Sequence, residues 1–312
     1  MKTIKRKYRS INVCLGLLII FAALGSVGCN NGSSSDENNI TSIPIVGYTM
    51  GKSGFADGGP RSIVVDYSGA LYIADSLNKK VVKLNQNGQF IKSWNSSTDY
   101  GEVERLFYRN EKIYVLFPAA VCVLDTDLNL ILQFDLPNNS YNYGICVDSD
   151  RSIYVLLANS ILKYSTSDGV NYSLSTQWGS SGSGPGQFGS GYMNNLVIDS
   201  FDNIYVPDGY KRVQKFDKNG DFVLSITNLF QAYSYIGLTI DTGNNILYVL
   251  DVFNNQIYSY TLAGSYLKTI NSKNKLFYYP SSIYYYNGYL YILDFNNCVP
   301  DVSNNRILKL KI

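Results

Sequence analysis

Apolar and polar residues alternate in short runs along most of this chain. Six of those runs share one pattern, aliphatic-Tyr-aliphatic: LYIAD at 71–75, IYVLF at 113–117, IYVLL at 153–157, IYVPD at 204–208, LYVLD at 247–251 and LYILD at 290–294. Short runs rich in β-branched and aromatic residues, bounded by Gly, Asn, Asp and Ser, predict strands; helical periodicity is absent. The second-position tyrosines, Tyr72, Tyr114, Tyr154, Tyr205, Tyr248 and Tyr291, recur at intervals of 40 to 51 residues. A repeat of that period indicates a propeller or a solenoid.

Each repeat has the same internal order. SIVVDYSGALYIADSLNKKVVKLNQNGQFIKSW at 62–94 holds four strand-like runs separated by turns, which predicts one four-stranded blade. The first run ends in Asp66, whose side chain can cap the turn Asp66-Tyr67-Ser68-Gly69; Asp148, Asp199 and Asp241 repeat the device. Third runs follow a polar loop in all six units. Fourth runs follow in five: FIKSW at 90–94, LILQFDL at 130–136, LSTQW at 174–178, FVLSI at 222–226 and YLKTI at 266–270. The sixth unit lacks a fourth run, and IPIVGY at 43–48 is the unpaired segment expected to supply it. The fold expected is therefore all-β, a six-bladed β-propeller of four-stranded blades whose ring is closed by an N-terminal strand, leaving no open sheet edge.

WGSSGSGPGQF at 178–188 followed by LVIDSFDNIYVPDGYKRVQKFDKNGDFVLSI at 196–226 resembles an NHL repeat, and the first unit is similar. Units five and six match more loosely. Unit two lacks the Asp that ends the first strand, and units two and three carry Phe117 and Leu157 where the others have Asp after the second strand. The resemblance spans about residues 43–312. It implies the fold and is nearly silent on activity, because NHL and related six-bladed propellers include protein-binding and RNA-binding modules, lactonases and lyases.

The first residues follow a different pattern. Lys2, Lys5, Arg6, Lys7 and Arg9 precede an apolar stretch from Cys14 to Leu24, and small residues lead to Cys29 in GSVGC. This is the order of an export signal, and it resembles a bacterial lipoprotein signal in which Cys29 becomes the lipidated N-terminus. Ser26 departs from the aliphatic residue usual at its position, so ordinary secretory cleavage or retention as an anchor are the alternatives. Residues 29–42, rich in Asn, Ser and acid, have the composition of a disordered tether. The expected organisation is a signal at 1–28, a tether at 29–42 and the propeller at 43–312. The expected location is extracytoplasmic and membrane-anchored, at the outer membrane if the host has two.

Charge argues against nucleic acid as a partner. The chain has 26 Lys and Arg against 24 Asp and Glu, and five of the basic residues would leave with the signal. The remainder is slightly acidic, whereas phosphate-binding propellers need a basic face. Lys79, Lys80, Lys211, Arg212 and Arg306 recur beside Asp75, Asp208 and Asp294, which predicts an ion pair within each loop. Cys122 and Cys146 lie in apolar strand contexts and are expected to be buried thiols; Cys298, in a long loop, is left free or paired with another molecule.

No histidine is present. That removes the usual general base and most catalytic zinc sites. A calcium-dependent lactonase of the gluconolactonase type binds metal through oxygen instead, and Asp75, Asp208, Asp251, Asp294 and Asn254 are the repeated candidates. Their repetition favours a loop cap, since a catalytic site breaks symmetry. GSSGSGPGQFGSG at 179–191 lacks GK[ST] and precedes no helix, so it is expected to be a lengthened inter-blade linker rather than a phosphate cradle.

Aromatic content does break the monotony, with 28 tyrosines. Loops joining a fourth strand to the next first strand share a face with loops joining strands two and three. On that face fall Tyr100, Tyr141, Tyr143, Tyr192, Tyr210, Tyr233, Tyr235, Phe253, Tyr278 and Tyr279. Tyrosine is suited to recognition, having a rigid apolar body and a polar tip; the competing explanation is a composition that fills loops with tyrosine. Tyr284, Tyr285 and Tyr286 fall in a first strand and are expected to pack. The sequence thus predicts a non-catalytic binding or scaffold module for a protein, peptide or glycan partner, without a cofactor. The alternative is a metal-dependent hydrolase or lactonase, with calcium, in the central channel.

Overall fold

The computed structural model describes residues 40–51, 59–137, 142–189, 193–209, 212–227, 236–252, 254, 256–271, 277, 280–295 and 305–312. The chain divides into Met1–Ser35, all of it outside the described residues, and a compact unit, Asp36–Ile312. That unit is a six-bladed β-propeller of antiparallel sheets. Blade one runs Ser62–Val65, Leu71–Asp75, Lys80–Leu84 and Phe90–Trp94, in sequential order from the centre outward. Blades two to five occupy 105–135, 142–178, 197–226 and 236–271 with the same order. No described residue is helical.

Closure of the ring is as expected, with the closing strand shifted. Ile40–Ile43 pairs antiparallel with the third strand of blade six, Asn305–Lys311, from Ile40 opposite Leu310 to Ile43 opposite Ile307. The strand is therefore ITSI and shares only Ile43 with IPIVGY, and 40–42 belong to the blade. Pro44 explains the shift. It has no N–H to give a ladder and is tolerated only where pairing stops. The chain then crosses to blade one, where Val46 donates its N–H to Gly88 O at 2.9 Å and accepts from Phe90 N at 2.8 Å. Gly88, at φ +81°, permits this crossing, because a Cβ there would collide with the Pro44 carbonyl.

Blade five departs from the four-strand plan. Met193–Asn194, in the linker before blade four, pairs parallel with Ile236–Gly237 and gives blade five a fifth, inner strand. The first strand of blade four is accordingly short, Val197–Ile198.

Six apolar clusters are present among the described residues, one at each junction between blades. Every repeated tyrosine lies in a different cluster: Tyr72, Tyr114, Tyr154, Tyr205, Tyr248 and Tyr291 are all buried. Fourth strands form the outer rim and are largely exposed. At the centre, first strands of neighbouring blades are joined through side-chain hydroxyls: Leu106 N donates to Ser62 Oγ at 3.1 Å, Ile63 N to Ser282 Oγ at 3.3 Å and Tyr285 N to Thr239 Oγ1 at 2.8 Å. Inner-edge amides that no further strand would pair are thereby satisfied.

The turn between strands one and two carries a repeated device. Asp66 Oδ1 accepts from Ser68 N and Ala70 N, Asp148 Oδ1 from Ser152 N, and Asp199 Oδ1 from Phe201 N and Asn203 N. The second oxygen of each takes the repeated tyrosine hydroxyl: Tyr72 at 2.9 Å, Tyr154 at 2.8 Å and Tyr205 at 3.1 Å. The same hydroxyls reach Thr126 O, Lys218 O and Leu262 O on the strand three to four turn of the next blade. Lys83, Lys163 and Lys215, each opposite its tyrosine on strand three, lie 5.0 to 5.6 Å from the ring centroids and donate to those same carbonyls. Asp, Tyr and Lys thus latch a blade to its successor.

Candidate binding face

The loops joining strands two and three, together with the inter-blade linkers, form the face to which the sequence assigned recognition. The repeated carboxylates begin this face, each at the end of a second strand and each fully or almost fully buried. Asp75 accepts from Gly51 N at 3.2 Å, from Asn78 Nδ2 at 2.8 Å and from the Tyr48 hydroxyl at 3.1 Å. Burial, then the charge of Asp75, pushes the Tyr48 hydroxyl up to about 12. Asp251 accepts from Asn254 N and Nδ2 at 3.0 and 2.7 Å. Asp294 pairs with Arg306 at 2.9 Å and Asp208 with Arg212 at 2.6 Å. In-loop ion pairs are therefore present in blades four and six. Blade one is different: Lys79 reaches Asp99 in the following linker at 2.8 Å, because Asp75 is already occupied by neutral donors. Lys211 lies outside the described residues.

The glycine-rich linker is built around Arg212. Its guanidinium donates to Ser183 O, Gly184 O and Gln187 O at 2.7, 3.0 and 2.9 Å, and Gln214 Nε2 donates to Gln187 O and Asp208 Oδ2. Gly189 N closes the ring on Asp208 Oδ1 at 2.7 Å. Three linker carbonyls thus converge on the chain's own cation, while the amides of Gly186 and Gly189 are taken by Gln214 and Asp208. This is the opposite polarity from a phosphate cradle, and the linker reading stands. Phe188, buried beside it, anchors the segment in the junction of blades three and four.

Arg61 contacts Glu102 at 2.7 Å and Glu104 at 2.6 Å, a cluster absent from the repeats and therefore invisible to a repeat-based reading. Among the described residues no three Asp, Glu or Cys side chains converge as a metal centre needs. The carboxylates nominated for calcium already serve as acceptors within their own loops: Asp75 takes Tyr48, Gly51 and Asn78, Asp208 and Asp294 each take an arginine on one oxygen, and Asp251 takes Asn254.

The aromatic residues divide. Tyr100 lies in the linker from blade one to blade two, half-buried, its ring 5.8 Å from that of Phe117. Tyr143 is not in a loop. It is the second residue of the first strand of blade three, Asn142–Val147, half-buried against the core, and its carbonyl accepts from Asn195 N at 2.9 Å. Gly144 beside it permits this close approach, since a Cβ would meet Leu196 N at 2.7 Å. Tyr141, Tyr192, Tyr210, Tyr233, Tyr235, Phe253, Tyr278 and Tyr279 lie outside the described residues, as do Cys29 and Cys298.

Other tyrosines gather on the opposite face, at the turns between strands one and two. Tyr67, highly exposed, meets Tyr108 edge-on at 5.3 Å, and Tyr286 donates its hydroxyl to Tyr67 O at 2.8 Å. Tyr284, Tyr285 and Tyr286 do lie in a first strand, Pro280–Tyr286, and Tyr285 stacks on Tyr248. Cys122 and Cys146 are fully buried free thiols; burial pushes Cys122 up to about 12 and Cys146 well above its ordinary value.

No family model and no curated protein matches this chain. Solved structures with the same fold do. A catalytically inactive histidine-to-alanine variant of virginiamycin B lyase from Staphylococcus aureus, crystallised with quinupristin, superposes with a TM-score of 0.62 at 14% identity, covering 88% of this chain and 99% of that one. A streptogramin B lyase gives 0.60 at 16% identity over 89% of both chains. A protein of unknown function from Bacteroides thetaiotaomicron gives 0.62 at 14% identity, over 88% of this chain and 75% of that one. At such identities the likeness establishes the six-bladed propeller and nothing finer.

Proposed function

We propose that this protein is a lipid-anchored, extracytoplasmic propeller that binds a protein, peptide or glycan on its linker face and does no chemistry there. One observation carries the reading: the carboxylates a metal-dependent hydrolase would need on that face, Asp75, Asp208 and Asp294, are taken up by amides, hydroxyls and guanidinium groups of their own loops. The lyase neighbours do not supply an alternative. One of them is inactive as a histidine-to-alanine variant, and these 312 residues contain no histidine. A rigid ring presenting variable loops is a general scaffold for recognition.

Tyr141, Tyr233 and Tyr235 carry the proposed contact. Replacing all three by Ala should lower capture of an envelope partner by about tenfold or more, since buried aromatic anchors contribute about 2 kcal/mol or more each. The melting temperature should stay unchanged. Full capture by the triple variant would remove the face assignment.

Anchoring rests on Cys29. The Cys29→Ser variant should leave the membrane fraction and lose acyl labelling; a variant that still incorporates label would exclude this residue as the lipid site.

A further inference from the structure

The latch of Asp, Tyr and Lys is complete in blades one, three and four; between blades five and six, where Asp and Tyr are kept and Lys is not, a cavity stands in its place. Between blades five and six lies a space of about 270 Å³ lined by Asp241, Tyr248, Ser259, Leu267, Tyr285 and Ile246, among others. It opens at the turns between strands one and two, the face opposite the one proposed above for partner binding, and is independent of that proposal.

Its origin is a residue exchange. Strand three carries Lys opposite the repeated tyrosine in blades one, three, four and six: Lys83, Lys163, Lys215 and Lys309. In blade five Ser259 stands opposite Tyr248. Blade six also lacks the strand three to four turn whose carbonyl receives the lysine elsewhere, because its fourth strand is Ile40–Ile43. Two of the groups that fill the junctions after blades one, three and four are therefore missing here; blade two, with Val123 opposite Tyr114, lacks the lysine as well.

What remains is the lysine's receptor. Asp241 is 3% exposed and keeps the turn contacts of its counterparts, accepting from Gly243 N and Asn244 N through one oxygen and from Asn244 Nδ2 through the other, with the Tyr285 hydroxyl beside it. Asp148 and Asp199 have a lysine ammonium at 3.9 and 3.5 Å; Asp241 has no ion pair among the described residues. Among the described residues no cation lies over the Tyr248 ring, whereas Tyr72, Tyr154 and Tyr205 each have a lysine there. The Tyr248 hydroxyl, which lines the cavity, makes no hydrogen bond to protein among the described residues. Tyr285 stacks parallel to Tyr248 with ring centroids 6.1 Å apart. Lys268, on the exposed fourth strand, lines the rim without pairing to Asp241.

We propose that this cavity is a binding site for a primary alkylammonium group. The carboxylate and the Tyr248 hydroxyl would receive the ammonium, the tyrosine ring would face it as in the sibling blades, and Ile246 and Leu267 would flank the alkyl stem. A free diamine and a lysine side chain of another protein carry the same group.

Cadaverine and a lysine-containing peptide, titrated separately into the protein by calorimetry, test the site, with 1-pentanol and the Nε-acetylated peptide as uncharged controls. At least one charged probe should bind about tenfold or more tighter than its control, and which one does identifies the source. In Ser259→Lys the introduced amine occupies the site, so that binding should fall about tenfold or more while the melting temperature rises. Asp241→Asn, which keeps an oxygen for the turn amides, should bind equally poorly. Charged probes that bind no better than their controls, or that bind Ser259→Lys as well as the parent, would overturn the proposal.

Discussion

At the residue scale the repeated tyrosine fills a junction in every blade, and in blades one, three and four it also holds the turn carboxylate and reaches the next blade. Its role as packing was legible, because a tyrosine between aliphatic residues in a strand has few other uses. The turn caps were legible too, since Asp66 and its counterparts act on backbone amides two to four residues away. The reach across blades was not. Its acceptors, Thr126 O, Lys218 O and Leu262 O, are main-chain carbonyls, which leave no trace in residue identity. The latch makes a prediction in alkali. Burial pushes the Tyr48, Tyr248 and Tyr260 hydroxyls up to about 12, with Asp75 and Asp241 adding to the first two, and raises Tyr72, Tyr154 and Tyr205 further. Unfolded tyrosine ionises near 10. Above that pH the unfolded chain sheds protons that the folded one keeps, so stability is full below 10 and falls as pH rises toward 12. Absorbance at the phenolate band should show these tyrosines ionising together with unfolding. Their ionisation in a protein that stays folded through that interval would contradict the latch.

At the element scale the strands were readable because each blade repeats four short runs with turn residues between them. Three departures have local causes. Pro44 ends the closing strand one position into IPIVGY, so pairing falls on the preceding ITSI, whose polar Thr41 and Ser42 had made it look like tether. Tyr143 sits in a strand rather than a loop because the first strand of blade three begins before the apolar run does. Met193–Asn194 crosses to blade five through main-chain pairing of only two residues, too short for any periodicity to announce. The closing strand carries a stability prediction. Ile43 is 5% exposed against the junction of blades six and one, and Ile43→Ala should cost about 2 kcal/mol or more by the cavity it leaves. Ile45→Ala, at a half-buried position past the strand, should cost less. The reverse order in denaturant unfolding would place the closing strand at IPIVGY after all.

At the scale of the whole molecule the architecture was legible and the activity was not, for one reason. Repetition defines a fold, whereas a site is what departs from repetition. Among the described residues the departures include the Arg61, Glu102 and Glu104 cluster, the guanidinium enclosed by the glycine-rich linker, and the Ser259 exchange beside a cavity. Each appears only when residues far apart in sequence are brought together. The central claim, on which the proposed binding role rests, is that the carboxylates of the linker face hold loops rather than a metal. Elemental analysis of the purified protein, joined to a calcium titration read by thermal unfolding, tests it most directly. The account predicts no stoichiometric metal and an unchanged melting temperature at saturating calcium; a bound metal near one per chain, or a calcium-dependent rise in melting temperature, would contradict it.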